Sequence, residues 1–302
     1  MRYIRASLRM LFIVVSAMIC LMALVTIKVV CRRSTRSVEL RSSLWRHYMS
    51  LLVRVSGVRI YSGQKEVFQQ LQRESYVIVA NHVSYFDPIV LGTLANFGFI
   101  AKKELSSWPL FGRIATLTET IFVQRECLWS RTLALRSLRD KLRHRSYCVF
   151  PEGTTTNKET PSSRSWMAGS FDAALKAKSG VICVGIHYQD HEKNAWVDDM
   201  ELIPHLWQIL GNSHLDIFLK AERLSVAEDL SGFDLSLRAR QKVEQLCLEA
   251  KVDLCRRSNQ CEAWPTGDKA IAFSSSPLAQ RTVGCSVSLC RNNITRYFRR
   301  NY

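Results

Sequence analysis

Along this chain, short uncharged apolar runs alternate with longer stretches in which apolar residues recur at helical spacing. Tyr76-Val77-Ile78-Val79-Ala80 is β-branched and free of charge, the pattern of a strand buried on both faces. Comparable runs lie at 97–101, 119–124, 147–150, 181–187 and 214–219. Helical spacing marks 88–96, 109–117, 128–145, 169–178 and 234–255, with Leu133, Leu135, Leu138 and Leu142 as the apolar positions of the third. Alternating strands and helices predict an α/β fold, with a mixed, largely parallel sheet flanked by helices. Such sheets carry their sites at the carboxyl ends of strands.

The first sixty residues follow another pattern. Met10–Ile27 is eighteen residues without a charge. At about 1.5 Å per residue it is roughly 27 Å long, close to the hydrocarbon thickness of a bilayer. Arg2, Arg5 and Arg9 precede it, and Lys28, Arg32, Arg33 and Arg36 follow. The basic exit, and the lack of a small-x-small site before Lys28, favour a retained membrane-anchoring helix over a cleaved signal peptide. More basic residues follow the apolar stretch than precede it, which places the globular part on the cytoplasmic face. A shallow interfacial helix fits the same basic flanks. Next, Leu44, Tyr48, Leu51, Leu52 and Val55 fall at helical spacing, with Arg46 and Arg54 off that line. This segment is either a membrane-surface helix or a helix packed on the domain.

Charge sharpens the division. The net charge is +16, but residues 61–255 hold 23 basic and 23 acidic side chains, so the excess is confined to the two ends. We therefore divide the chain into a membrane anchor and interfacial helix (1–60), a globular domain (61–255) and a basic, disordered tail (256–302). Basic ends on a neutral core suit an anionic membrane surface. The ten cysteines form no CxxC pair and no zinc-spaced cluster, so no metal site is expected, and free thiols fit a reducing compartment.

The candidate chemistry lies directly after the first buried run, in Asn81-His82-Val83-Ser84-Tyr85-Phe86-Asp87-Pro88. Asp87-Pro88 reads as a helix start, with Asp87 as N-cap. His82 and Asp87 then share one strand-to-helix turn. A carboxylate holding one imidazole nitrogen leaves the other free to take a proton from a hydroxyl. On its own, an H-x4-D pair at a strand end is more often a cap or a surface pair.

Other segments weigh against chance. Phe150-Pro151-Glu152-Gly153-Thr154 follows a second strand-like run. Between the two, Lys103-Glu104-Leu105 precedes Pro109, Gly112 and Ile121-Phe122-Val123-Gln124-Arg125. In this order, the three segments resemble the first three motifs of the PlsC-like glycerolipid (lysophospholipid) acyltransferases. Val181-Ile182-Cys183-Val184-Gly185-Ile186 resembles the fourth, with Cys183 where proline is usual. Gly57-Val58-Arg59-Ile60 resembles the entry to the family's domain.

The resemblance implies acyl transfer from a thioester, acyl-CoA or an acyl carrier protein, to the free hydroxyl of a lysophospholipid. The leading acceptor is 1-acyl-glycerol-3-phosphate, giving phosphatidic acid. His82 would be the general base and Asp87 its orienting carboxylate. Arg125, with Glu152, Gly153, Thr154 and Thr155, would bind the acceptor. Neither cofactor nor metal is implied, and membrane lipids are the expected partners. Many members carry arginine after Glu-Gly-Thr, whereas Thr155 follows here; this opens another head group, such as a lyso-ornithine lipid. A reading of another class is a non-catalytic basic membrane- or nucleic-acid-binding protein. It leaves the ordered motifs of the neutral core unexplained, and no nucleic acid is expected. No G-x-S-x-G nucleophile elbow is present to suggest a hydrolase.

Overall fold

The computed structural model describes residues 1–258 apart from Arg33, Thr35, Arg73 and residues 162–165, 198–199 and 227–229. Residues 259–302, most of the expected tail, lie outside the described residues. Met1–Lys251 form one compact unit.

Two helices come first, α1 (Arg2–Val30) and α2 (Ser37–Ser56), followed by β1 (Val58–Ser62) and α3 (Lys65–Gln69). Then come β2 (Tyr76–Ala80), α4 (Phe86–Leu94), β3 (Gly98–Lys102), a 3-10 segment at Lys103–Ser107 and α5 (Phe111–Leu117). After these lie β4 (Ile121–Val123), α6 (Leu128–Lys141), β5 (Tyr147–Val149), α7 (Gly169–Ala177) and β6 (Gly180–Tyr188). The last elements are α8 (His191–Asn194), α9 (Leu202–Gly211), β7 (Leu215–Leu224) and α10 (Gly232–Ser258).

The strands form one seven-stranded sheet in the order β1-β7-β6-β2-β5-β3-β4, with every pairing parallel except β6 with β7. This is the mixed, largely parallel sheet flanked by helices that the sequence predicts. Strand alternation divides the core between its faces. Ile78 and Ala80 of β2 pack with Ile182, Val184, Ile186 and Tyr188 of β6 in one cluster, which also holds Val90 and Leu91 of α4. Val77 and Val79 point the other way, into a cluster with Leu138, Phe171 and Leu246 from α6, α7 and α10.

β1, α9 and the short α3 and α8 add to the expected elements. β1 is a half-exposed edge strand whose Arg59 pairs bidentately with Asp216 of β7 at 2.5 and 2.8 Å. α9 contains Pro204, which sits in the first turn, where the N–H it lacks has no helical partner in any case. The strand expected over 119–124 shrinks to Ile121–Val123. Glu119 has a positive φ of 63° that ends the turn after α5, and its carbonyl accepts the Tyr147 hydroxyl.

α1 is long and apolar enough to cross a membrane. One stripe, Ala6, Ile13, Ala17, Cys20 and Leu24, packs with Tyr48 and Leu52 of α2, Ile114 and Leu117 of α5 and Leu210 of α9. Many of the other apolar residues of α1 are exposed, including Ile4, Leu8, Leu11, Ile19 and Met22. Its amino-terminal arginines are not free. Arg9 donates to the carbonyls of Leu210, Asn212 and Ser213, Arg5 to Gly211 and Arg2 to Gln208. They satisfy the open carbonyl end of α9, where cations are also favoured by the helix dipole. α2 buries Tyr48, Met49, Leu52 and Val53, and it crosses α4 where Gly92 leaves room for the Met49 side chain.

Candidate active site

Because β2, β3, β4, β5 and β6 run parallel, their carboxyl ends share one edge of the sheet. His82 follows β2, Arg125 follows β4, Phe150–Thr155 follow β5, and Tyr188 ends β6. One cavity of about 940 Å³ is lined by His82, Arg125, Gly153, Thr154 and Thr155, among others.

The β2–α4 turn is built around Asp87, which has no solvent exposure. Its Oδ2 accepts the Val83 N–H at 2.6 Å, the Ser84 N–H at 2.9 Å and His82 Nδ1–H at 2.7 Å. Its Oδ1 accepts the Tyr188 hydroxyl at 2.6 Å. Four donors converge on the group, an arrangement only an acceptor can use. Here the expected N-cap role is corrected. α4 begins at Phe86, and the Asp87 N–H already bonds to the Ser84 carbonyl. The carboxylate therefore turns back to the loop N–H groups of Val83 and Ser84 instead of capping the helix ahead. Pro88 still lies in the first turn, where it costs no hydrogen bond.

With Nδ1–H donating to Asp87, His82 presents Nε2 as a bare acceptor. Among the described residues Nε2 has no hydrogen-bond partner, and the side chain, 20% exposed, lines the cavity. Phe150 stacks on the imidazole at 4.1 Å between ring centroids and 18° between planes, which limits its rotation. Asn81 completes the frame. Its amide donates to the Ile186 carbonyl at 2.9 Å and accepts the Ile186 N–H at 2.8 Å, extending the β2–β6 ladder by one side chain.

Glu152 does not line the cavity. Its carboxylate accepts the His82 N–H at 3.3 Å, and the Thr156 N–H bonds to the His82 carbonyl at 2.8 Å, so the loop after β5 is tied to the His82 backbone. Gly153 has a positive φ of 76°, the left-handed region that glycine enters without strain. A side chain at Gly153 would lie within 4 Å of the Arg125 guanidinium, which places that group beside the loop. Burial lowers the Arg125 pKa from its usual value, and the nearby carboxylates of Glu126 and Glu104 act against that shift. Among the described residues Arg125 forms no ion pair.

The rest of the cavity mixes apolar and charged walls. Phe99, Leu105, Trp108 and Trp196 line it with Lys102, Glu104, Glu126 and Arg131. Leu128, at the start of α6, lines it too and is 70% exposed, next to the equally exposed Trp129. Among the described residues, no group of three or more His, Cys, Asp or Glu is placed to hold a metal ion.

Sequence reasoning missed Tyr188, and Phe150 as a stacking partner. The signal for Tyr188 was present. Ile182, Val184, Ile186 and Tyr188 alternate along β6 and therefore face the α4 side. What pairs Tyr188 with Asp87 is the β2–β6 register, which no local pattern encodes.

Comparison with known proteins agrees with this architecture. Residues 58–187 match the family model described as Acyltransferase. A lyso-ornithine lipid O-acyltransferase of Pseudomonas aeruginosa is 33% identical over 175 residues, covering 57% of this chain and 67% of the relative. A 1-acyl-sn-glycerol-3-phosphate acyltransferase of Neisseria gonorrhoeae is 27% identical, over 52% of this chain and 62% of the relative. The crystal structure of PlsC, the 1-acyl-sn-glycerophosphate acyltransferase of Thermotoga maritima, has the same fold. Its TM-score is 0.61 at 19% identity, over 88% of this chain and all of that one. With the ordered motifs meeting at one sheet edge, these matches place the chain in the PlsC-like glycerolipid acyltransferase family.

Proposed function

We propose that the protein transfers a fatty acyl group from a thioester to the hydroxyl of a lysolipid, with His82 as general base. The observation that carries this reading is the bare Nε2 of His82, facing the same cavity as Arg125. Nε2 takes the acceptor hydroxyl proton as the oxygen attacks the thioester carbonyl. The tetrahedral intermediate then collapses, the C–S bond breaks, and the departing thiolate recovers the proton from the imidazolium. A positioned base of this kind contributes about 10²–10⁴-fold in rate. Asp87 holds the tautomer and stabilises the imidazolium. The donor is acyl-CoA or an acyl carrier protein, and no cofactor is needed.

For the acceptor we favour a lyso-ornithine lipid. An ornithine head carries a carboxylate, which a guanidinium binds bidentately, and an ammonium. The cavity offers Arg125 for the first and Glu104 and Glu126 for the second. Thr155, standing where many family members carry arginine, removes a cation that a phosphate would use, and the Pseudomonas relative's name points the same way. The second reading is 1-acyl-glycerol-3-phosphate, favoured by Arg125 itself, since phosphate fits the same fork. Thr154 and Thr155 would then supply hydroxyl donors, while Glu152 acts from behind, on the loop and on His82.

We place the enzyme on a membrane through α1 and α2. The arginines that tie the start of α1 to α9, and the stripe that continues to Leu24, keep α1 against the catalytic unit along most of its length. An in-plane helix, its exposed apolar face in one leaflet, fits this better than a perpendicular span. The cytoplasmic leaflet, being anionic, suits the basic flanks.

Acceptor choice is tested by supplying a labelled acyl thioester with lyso-ornithine lipid or 1-acyl-glycerol-3-phosphate on vesicles. Faster labelling of lyso-ornithine lipid supports the first reading and faster labelling of the phosphate the second. Labelling of neither, with both donor types tried, contradicts the proposal.

A further inference from the structure

We propose that Tyr188 is a positioning residue for acyl transfer, holding Asp87 in the rotamer that orients His82; this rests on His82 being the general base. The two carboxylate oxygens of Asp87 are not equivalent. Oδ2 serves the turn and the imidazole together, with three donors. On Oδ1 the one hydrogen bond among the described residues comes from Tyr188, at 2.6 Å. Rotation about Cβ–Cγ would move Oδ2 away from His82, and the phenol opposes that rotation from the far side.

Tyr188 is suited to this role because it cannot move easily. It is the last residue of β6, fully buried, and in register with Ile217 of β7. The strand that carries it is the direct neighbour of the strand that leads to His82. The sheet thus sets the distance between base and brace. Burial, and then the nearby Asp87 charge, push the Tyr188 pKa well above its usual value, so the hydroxyl remains a donor. Tyr188 does not line the cavity, so it acts through Asp87 and not on substrate.

The titratable groups around this pair are His82, Tyr85, Cys148, His191 and Cys247, and the Glu152 carboxylate bonds to the His82 N–H. Burial raises the pKa of Tyr85, Cys148 and Cys247 and lowers that of His191, which keeps all four neutral near pH 7. A pH effect of losing the phenol is therefore read through His82.

The test is Tyr188→Phe, assayed beside wild type, His82→Ala, Asp87→Asn and the Tyr188→Phe/Asp87→Asn double variant, with folding checked by thermal unfolding. Removing the hydroxyl is expected to lower kcat about 10- to 100-fold, the size of a hydrogen bond to a charged group, with KM for both substrates unchanged. The acid limb of the pH–rate profile moves to higher pH, because a carboxylate that has lost a donor favours the protonated imidazole more strongly. In the Asp87→Asn background the same change has little further effect.

A folded Tyr188→Phe enzyme with wild-type kcat and an unmoved acid limb overturns the proposal while leaving His82 as base. A variant that only loses thermal stability, with normal kcat and profile, assigns Tyr188 to packing and overturns it too. If His82→Ala retains activity, the base reading falls and takes this inference with it.

Discussion

Two places in this molecule set polar side chains against apolar structure, and they end differently. At the start of α1, Arg2, Arg5 and Arg9 spend their donors on the carbonyls at the end of α9. At the β2–α4 turn, Asp87, Tyr188 and His82 satisfy one another, yet Nε2 of His82 is left over and faces a cavity. In the first place polarity is consumed and the result is a joint. In the second an acceptor remains, and the result is a site. Arg125 belongs with the second kind, since it lines the cavity and forms no ion pair among the described residues. Residue type does not separate these cases. Where the donors and acceptors go does.

The comparison breaks most sharply at Asp87. Asp87→Asn places an amide N–H against donors and frees the His82 tautomer, so kcat should fall by about 10²–10⁴, the full worth of a general base. Initial rates check this, and a loss below threefold would mean that the carboxylate is only a turn residue. Arg125→Ala should raise KM for the acceptor about 10- to 100-fold with kcat nearly unchanged, the cost of a lost charge-assisted pair. Steady-state kinetics with varied acceptor would decide it, and an unchanged KM would put the head group elsewhere.

Away from the site, His187 on β6 is buried and stacked on His191, and its Nδ1 has no hydrogen-bond partner among the described residues. Burial, then the neighbouring His191, push its pKa down to about 4. The unfolded chain therefore takes up this proton first as pH falls. Stability is unaffected above the ordinary histidine value near 6.5 and is lost between there and about 4, by at most about 3 kcal/mol. As pH falls through that window, the thermal midpoint of wild type should drop relative to that of His187→Gln if this is right, and the two should run parallel if it is not. The smallest effect belongs to the joint. Arg9→Ala should cost about 1 kcal/mol of stability and leave kcat per folded molecule unchanged. A large loss of kcat would show that the joint also shapes the site.

Much of the site was legible because its residues interrupt a pattern. His82 follows five buried positions and Glu152 follows a second such run, and both interruptions fall where a parallel sheet exposes its strand ends. The fold was legible for the same reason, through runs such as 76–80 and 181–187 that could hardly be anything but core strands. What escaped depended on tertiary partners. α9 was hidden by Pro204, which looks like a helix breaker until its place in the first turn is known. β1 was hidden because an edge strand needs no apolar alternation on its open side. The amino-terminal arginines read as membrane flanks, since charge can be counted from sequence and hydrogen-bond destinations cannot. Tyr188 lies 101 residues from Asp87, and only the β2–β6 pairing brings them together.

The most direct test of the central claim is the rate of acyl transfer from an acyl thioester to a lysolipid by purified His82→Ala on vesicles, beside wild type. If the leftover nitrogen is the base, the variant binds both substrates with ordinary KM and turns over about 10²–10⁴-fold more slowly. A folded variant that keeps near-normal kcat would mean that the turn, for all its hydrogen bonds, is a second joint and the chemistry lies elsewhere.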